Sequence, residues 1–143
     1  MTPSSNQLSF ATLTQHYDGV FLASGLAANT ISFITSGSTN ASVVTDVLFR
    51  SADSSARNFN VLICPSGSQN LSGSNTVQIS VPLASGNNGT TAIASFATLA
   101  PQIFDIDLAG NRVITLEAGE SIYVQNTAQL TGNFIITAKR RDF

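Results

Sequence analysis

Apolar residues alternate with polar ones on both sides of a four-residue turn in Val113-Ile114-Thr115-Leu116-Glu117-Ala118-Gly119-Glu120-Ser121-Ile122-Tyr123-Val124-Gln125. A period of two belongs to a strand with one buried face. Ile114 and Leu116 flank Thr115, and Ile122 and Val124 are interleaved with Ser121, Tyr123 and Gln125. Between them Gly119 can take a positive φ at little cost, which suits a tight reversal. The stretch reads as strand, turn, strand in the manner of a hairpin, with Leu116 and Ile122 packing into one core.

The same period recurs along the chain. Ile31 and Phe33 alternate with Ser32 and Ile34. Residues 42–50 are apolar on both faces (Val43, Val47 and Phe49 against Val44 and Leu48), as in a central strand covered on both sides. Arg57 to Cys64 places Phe59, Val61 and Ile63 inward and Asn58 and Asn60 outward. Val77, Ile79, Val81 and Leu83 share a face, and Pro82, which lacks a ladder donor, puts that strand at a sheet edge or near its own end. Residues 102–108 alternate Ile103, Asp105 and Asp107 against Phe104, Ile106 and Leu108. Residues 131–139 form a last strand, with Phe134 and Ile136 opposed by Ile135 and Thr137. Val20 to Ala23 is a short strand, residues 10–17 are mixed, and residues 90–99 read as strand or irregular chain, with a short helix as the alternative. Ser-, Gly- and Asn-rich loops fill 65–75 and 84–89. The expectation is an all-β fold, an antiparallel β-sandwich or jelly-roll-like single domain of about eight to ten short strands. Residues 1–12 form a polar N-terminal arm, 13–138 the sandwich domain, and 139–143 a basic C-terminal tail.

Charge narrows the function. Only 10% of the 143 residues are charged and the net charge is −2, against about 25% charged in an ordinary soluble domain. The surface is therefore covered by Ser, Thr, Asn and Gln, which suits close packing against neighbours more than mutual repulsion. No general basic field is available to nucleic acid. No apolar run approaches the ~20 residues that a membrane-crossing helix needs, and the polar residues 1–10 lack the apolar stretch of a secretory signal. No membrane partner is expected.

Catalytic groups are scarce. His16 is the sole histidine and no G-x-S-x-G elbow accompanies it, so it is read as a surface or interface residue. Glu117 and Glu120 flank a turn instead of facing each other across a cleft. Asp105-Ile106-Asp107-Leu108-Ala109-Gly110-Asn111 matches the opening of a calcium loop, but Ala109 and Leu116 stand where ligands belong. Cys64 is alone in an apolar run and reads as a buried, inert thiol. No enzyme activity, cofactor or metal is expected. Lys139, Arg140 and Arg141 hold half of the chain's positive charge and can anchor an acidic partner surface or serve as a solvated tail. Together with Phe10, His16, Tyr17 and Phe143 they are the candidate interface residues.

Leu116-Glu117-Ala118-Gly119-Glu120-Ser121-Ile122, followed by the strand Tyr123 to Asn126 and the apolar run Asn133 to Ala138, resembles the C-terminal half of small tailed-bacteriophage virion proteins. The order of strands from about 20 to 138, with the polar turn Ser54-Ser55-Ala56-Arg57 before Phe59 to Ile63, is similar too. The resemblance implies a structural virion subunit made in the host cytoplasm. Its first form is a capsid decoration (cement) protein that binds the major capsid protein, or another virion protein, as a homo-oligomer, with a trimer as the expected state. The alternative it leaves is a tail, fibre or head-fibre module that binds a host-surface glycan or another virion protein.

Overall fold

The computed structural model describes residues 15–65, 76–86 and 92–143. The expected arm at 1–12, Phe10 and most of the two Ser/Gly/Asn-rich loops lie outside these residues.

Among the described residues ten strands form two sheets packed face to face. They are β1 (Gln15–Leu22), β2 (Ile31–Ser36), β3 (Ser42–Ser51), β4 (Arg57–Cys64), β5 (Val77–Leu83), β6 (Ala92–Ser95), β7 (Asp105–Ile106), β8 (Arg112–Leu116), β9 (Ser121–Asn126) and β10 (Phe134–Asp142). One sheet runs β1-β10-β3-β8-β7, with β6 also paired to β3; the other runs β2-β9-β4-β5. Every pairing is antiparallel, and the partners are nested: β1 with β10, β2 with β9, β3 with β8, β4 with β5. Nesting of this kind folds a ribbon of paired strands into a two-sheet antiparallel sandwich.

The core lies between the sheets. Phe49 of β3 and Phe134 of β10 come from the first sheet, and Phe59 of β4 reaches them from the second. Ring centroids are 5.9 Å apart for Phe49–Phe59 and 5.0 Å for Phe59–Phe134. All three rings are fully buried, and Val44, Val47, Val61, Ile122, Val124 and Ile136 close around them. The expected single-face burial holds for Phe59, Val61, Val81, Leu83, Phe134 and Ile136. Pro82 lies on β5, an edge strand, as its missing donor requires.

Several expectations are corrected. The 113–125 segment is an arch: β8 and β9 belong to opposite sheets, so the Glu117–Glu120 turn crosses the sandwich rather than joining ladder partners. Leu116 and Ile122 still meet in one core. Gly119 has φ 80°, and the Glu117 N–H donates to Glu120 Oε1 at 2.7 Å. Gly37 lies so close to this turn that a methyl group there would collide with the carbonyl oxygen of Glu117.

β1 begins at Gln15, inside the segment expected to be mixed, because its backbone pairs with β10 along its whole length. β10 runs from Phe134 to Asp142, three residues beyond the expected end, so Lys139, Arg140 and Arg141 are strand residues instead of a separate tail. Residues 102–108 do not form one strand. A 3₁₀ turn, Pro101–Ile103, precedes the two-residue β7, and Phe104 turns into the core against Phe96 while Ile106 and Leu108 remain exposed. β6 is followed by a single helical turn, α1 (Phe96–Leu99), capped by Ser95.

The alternation in β3 is broken by a bulge. Lys139 pairs with Asp46 and Arg140 with Val44, leaving Thr45 as the extra residue. Val44 and Val47 therefore both face inward, three positions apart. At this bulge β3 changes its neighbour from β8 to β6. Asp46 holds the fork: Oδ1 accepts from the Val47 and Ala97 N–H groups at 2.8 and 3.0 Å, and Oδ2 accepts from Ser95 Oγ at 2.6 Å.

Phe59→Ala removes the one ring that the second sheet contributes to this aromatic contact. It should lower the unfolding free energy by about 3–5 kcal/mol in a denaturant melt, and a loss under 1 kcal/mol would show that the three-ring contact does not carry the packing. Gly37→Ala should also lower the melting temperature, through the collision with the arch.

Candidate functional site

The N- and C-terminal clusters, which the sequence offers as separate candidates, come together on the β1–β10 ladder. Gln15 pairs with Arg141, His16 with Arg140 and Tyr17 with Lys139. Strand alternation then divides them between two faces. His16, Asp18, Arg140 and Asp142 turn toward the second sheet; Tyr17, Lys139 and Arg141 turn outward.

The inward set is an ion-pair network at one end of the sandwich. Arg140 Nη1 lies 3.0 Å from Asp18 Oδ2. It also donates to the Ser36 carbonyl at 3.0 Å. Arg140 Nε is 2.9 Å from Asp142 Oδ1, an ion pair without a hydrogen-bond angle, and Nη2 donates to Asp142 Oδ2 at 3.3 Å. Thr35 Oγ1 donates to Asp18 Oδ2 and Ser42 Oγ to Asp142 Oδ1, both at 2.6 Å. His16 Nε2 stands 3.5 Å from Asp142 Oδ2. The network ties β1, β3 and β10 of the first sheet to β2 of the second. Arg140 is thereby committed to its own fold. Phe143 follows β10 and its N–H donates to the Ala41 carbonyl at 3.1 Å.

Lys139 and Arg141 of the outward set border a groove of about 770 Å³. Lys139 and Arg141 form one wall, with Gln15 beside them, and Arg112 and the 107–111 turn form the other. Asp107 Oδ1 accepts from the Ala109 and Asn111 N–H groups at 2.9 and 2.8 Å. Gly110 completes the turn at φ 85°. The calcium-loop pattern of 105–111 is thus occupied as a turn. Among the described residues no group of three or more His, Cys, Asp or Glu side chains converges as a metal site. Cys64 is buried and unpaired.

Farther along the same outer face a row of side chains crosses the first sheet. Phe21 pairs with Ile135, Ile135 with Arg50 and Arg50 with Ile93. Phe21 is 59% exposed, Ile135 41% and Ile93 70%, and Tyr17, two positions before Gly19 on β1, is 65% exposed. The periodicity of 131–139 placed Ile135 outward, but no one-dimensional signal placed it beside Phe21 and Ile93.

A second polar centre escaped the sequence reading. Asp53, in the turn expected to be merely polar, is fully buried. Its carboxylate accepts from Arg57 Nε at 2.9 Å, from the Ser55 N–H at 2.9 Å, and from the Thr131 N–H and Oγ1 at 2.9 and 2.7 Å. Gly132 passes so close to Asp53 that any side chain at 132 would strike its backbone. Burial raises the Asp53 pKa, but the bonds from Arg57, Ser55 and Thr131 outweigh it and hold the carboxyl well below the usual carboxylate range. This centre fastens the β3–β4 turn to the β9–β10 loop and leaves no group free for chemistry. The nearest signal in the sequence is the spacing Asp53, Ser55, Arg57, which fits an Asp side chain closing its own turn.

No protein-family model matches the chain, and no curated protein sequence matches it. Among solved structures it is similar to a chain of the cyanophage Pam1 capsid asymmetric unit, at 12% identity over 92% of this chain and 86% of that one, with a TM-score of 0.48. It is also similar to a Bacillus endospore appendage protein of a disulfide-linked pilus family (15% identity, 92% and 90% coverage, TM-score 0.42). A third likeness is to the virus-like particle of the extra small virus of the prawn Macrobrachium rosenbergii (9% identity, 92% and 80% coverage, TM-score 0.37). These likenesses are distant and concern outline alone.

Asp53→Asn should destabilise the fold by about 3–5 kcal/mol at neutral pH, since it leaves the Arg57 charge uncompensated beside a buried neutral amide. The pH dependence has a definite sign. The folded pKa lies below the ordinary 3.8, so the stability that ionised Asp53 contributes is complete above about pH 5 and is lost as the pH falls through 3.8 and below. Acid melts of the wild type should be steeper in that range than those of the variant; parallel curves would contradict the assignment.

Proposed function

We propose that this chain is a non-enzymatic structural subunit of a tailed-phage virion, made in the host cytoplasm, and that it decorates the head as a cement protein in the form of a symmetric oligomer, a trimer. The observation that carries the reading is the outer face of the first sheet. Phe21 and Ile135 are cross-strand neighbours on it, Ile93 lies beyond Arg50 in the same row, and Tyr17 is exposed on β1, in a chain with only 10% charged residues. Exposed apolar side chains gathered on one face in this way mark a contact surface. The resemblance of 113–138 to small virion proteins supports the same reading.

The role this implies is mechanical. Subunits repeat around a symmetric lattice, and many weak contacts add up through multivalency with no chemical step. The end of the sandwich that carries His16, Tyr17, Lys139, Arg141 and Phe143 is the proposed contact with the major capsid protein or another virion protein. Phe10 and the arm at 1–12 precede β1 at this end, and the proposal includes them as a strap along the adjacent subunit.

Native mass spectrometry of the full chain tests the oligomer. A discrete trimer is expected, and the double substitution Phe21→Ser, Ile93→Ser should shift it to monomer while leaving the far-ultraviolet dichroism unchanged, because neither side chain is part of the core. A wild-type monomer at every concentration would refute the self-assembly proposed here.

A further inference from the structure

The groove between β10 and the 107–111 turn has an unusual charge balance. The chain has six cations and a net charge of −2. Two of the six, Arg57 and Arg140, are bound to carboxylates inside the fold. Three of the remaining four, Arg112, Lys139 and Arg141, border this one groove. None of the three is ion-paired among the described residues. Arg141 makes only a 3.4 Å bond to Gln15 Oε1. The lining also holds two carboxylates, Asp46 and Asp107, which leave it a net charge of +1 and whose oxygens are turned to partners other than these cations. Asp46 accepts from Val47, Ala97 and Ser95, and Asp107 accepts from Ala109 and Asn111. The groove thus holds three cations without an ion-pair partner and a small net positive charge, in a molecule whose net charge is −2.

We propose that this groove binds an extended acidic segment of a partner protein, with carboxylates at alternate positions meeting Lys139 and Arg141 and a further acidic group meeting Arg112. Spacing supports an extended ligand. Lys139 and Arg141 are two residues apart on one strand face, so their stems are about 6.6–6.8 Å apart. Residues i and i+2 of an extended peptide repeat at the same interval. Arg141 can also take a carboxylate through two parallel bonds. A nucleic acid is the poorer match, since three cations release few counterions and the net charge repels a polyanion at a distance. The inference rests on the virion reading only for the identity of the partner, a neighbouring subunit; the groove's chemistry stands without it.

Isothermal titration of the full chain with the capped peptide Gly-Ser-Glu-Ser-Glu-Ser-Gly at low salt is the test. Measurable binding is expected, weakening as salt is raised. The K139Q/R141Q double variant should bind about tenfold less tightly, with an unchanged melting temperature because both side chains point outward. The same peptide with Gln in place of both Glu residues tests the charge without touching the fold, and it should show no binding. A peptide with the two Glu residues adjacent should bind more weakly than the alternating one. Absent binding, an equal affinity of the double variant or of the Gln peptide, or no preference for alternate spacing would each overturn the proposal. So would tighter binding of a short oligothymidylate, which would assign the groove to nucleic acid. None of these results depends on whether the chain is found in particles, so this test and that of the virion reading can fail separately.

Discussion

The two sheets hold together because Phe59 reaches across the sandwich to Phe49 and Phe134. The other features of the fold depend on that contact. Nested pairing places β3 and β10 side by side at the centre of one sheet and β4 beside β9 in the other. Each strand then offers alternate side chains to a shared interior. With that interior filled, the outward-facing side chains Phe21, Ile135 and Ile93 take no part in the core.

Charge is used sparingly and in two ways. At one end Arg140 ties Asp18 and Asp142 together and reaches the second sheet through Ser36. The Asp53–Arg57–Thr131 centre joins a turn to a loop. Both are internal fasteners. Lys139 and Arg141 differ from Arg140 only in the face that strand alternation assigns them, yet that difference separates a structural residue from an available one. The three consecutive cations near the C-terminus are one cluster in the sequence and two in the structure.

Strands with an inward hydrophobe at every second position were legible in the sequence, as β4, β5 and β10 show. β1 was not, because its inward positions include His16 and Asp18, which become compatible with an interior only beside Arg140 and Asp142. The Val113–Gln125 segment showed its strands and its turn, but a hairpin and an arch present the same alternation. Only the partners of β8 and β9, remote in sequence, decide between them. The bulge at Thr45 likewise needs β10 to define it. Asp53 looked like an ordinary turn residue because its burial comes from Thr131 and Gly132, nearly eighty positions away. At the candidate site, the residues Lys139 and Arg141 could be read in advance. Their convergence with Arg112 could not, since it follows from β3 changing neighbours at its bulge.

The central claim is that this fold serves as a repeated structural part of a particle, with the outer face of its first sheet as the contact surface. The most direct measurement is quantitative mass spectrometry of gradient-purified particles from a culture that expresses the gene for this chain. The account predicts that the protein is present in fixed stoichiometry to the major head protein and persists through repeated banding. A protein abundant in the infected lysate but absent from the purified particles would contradict it.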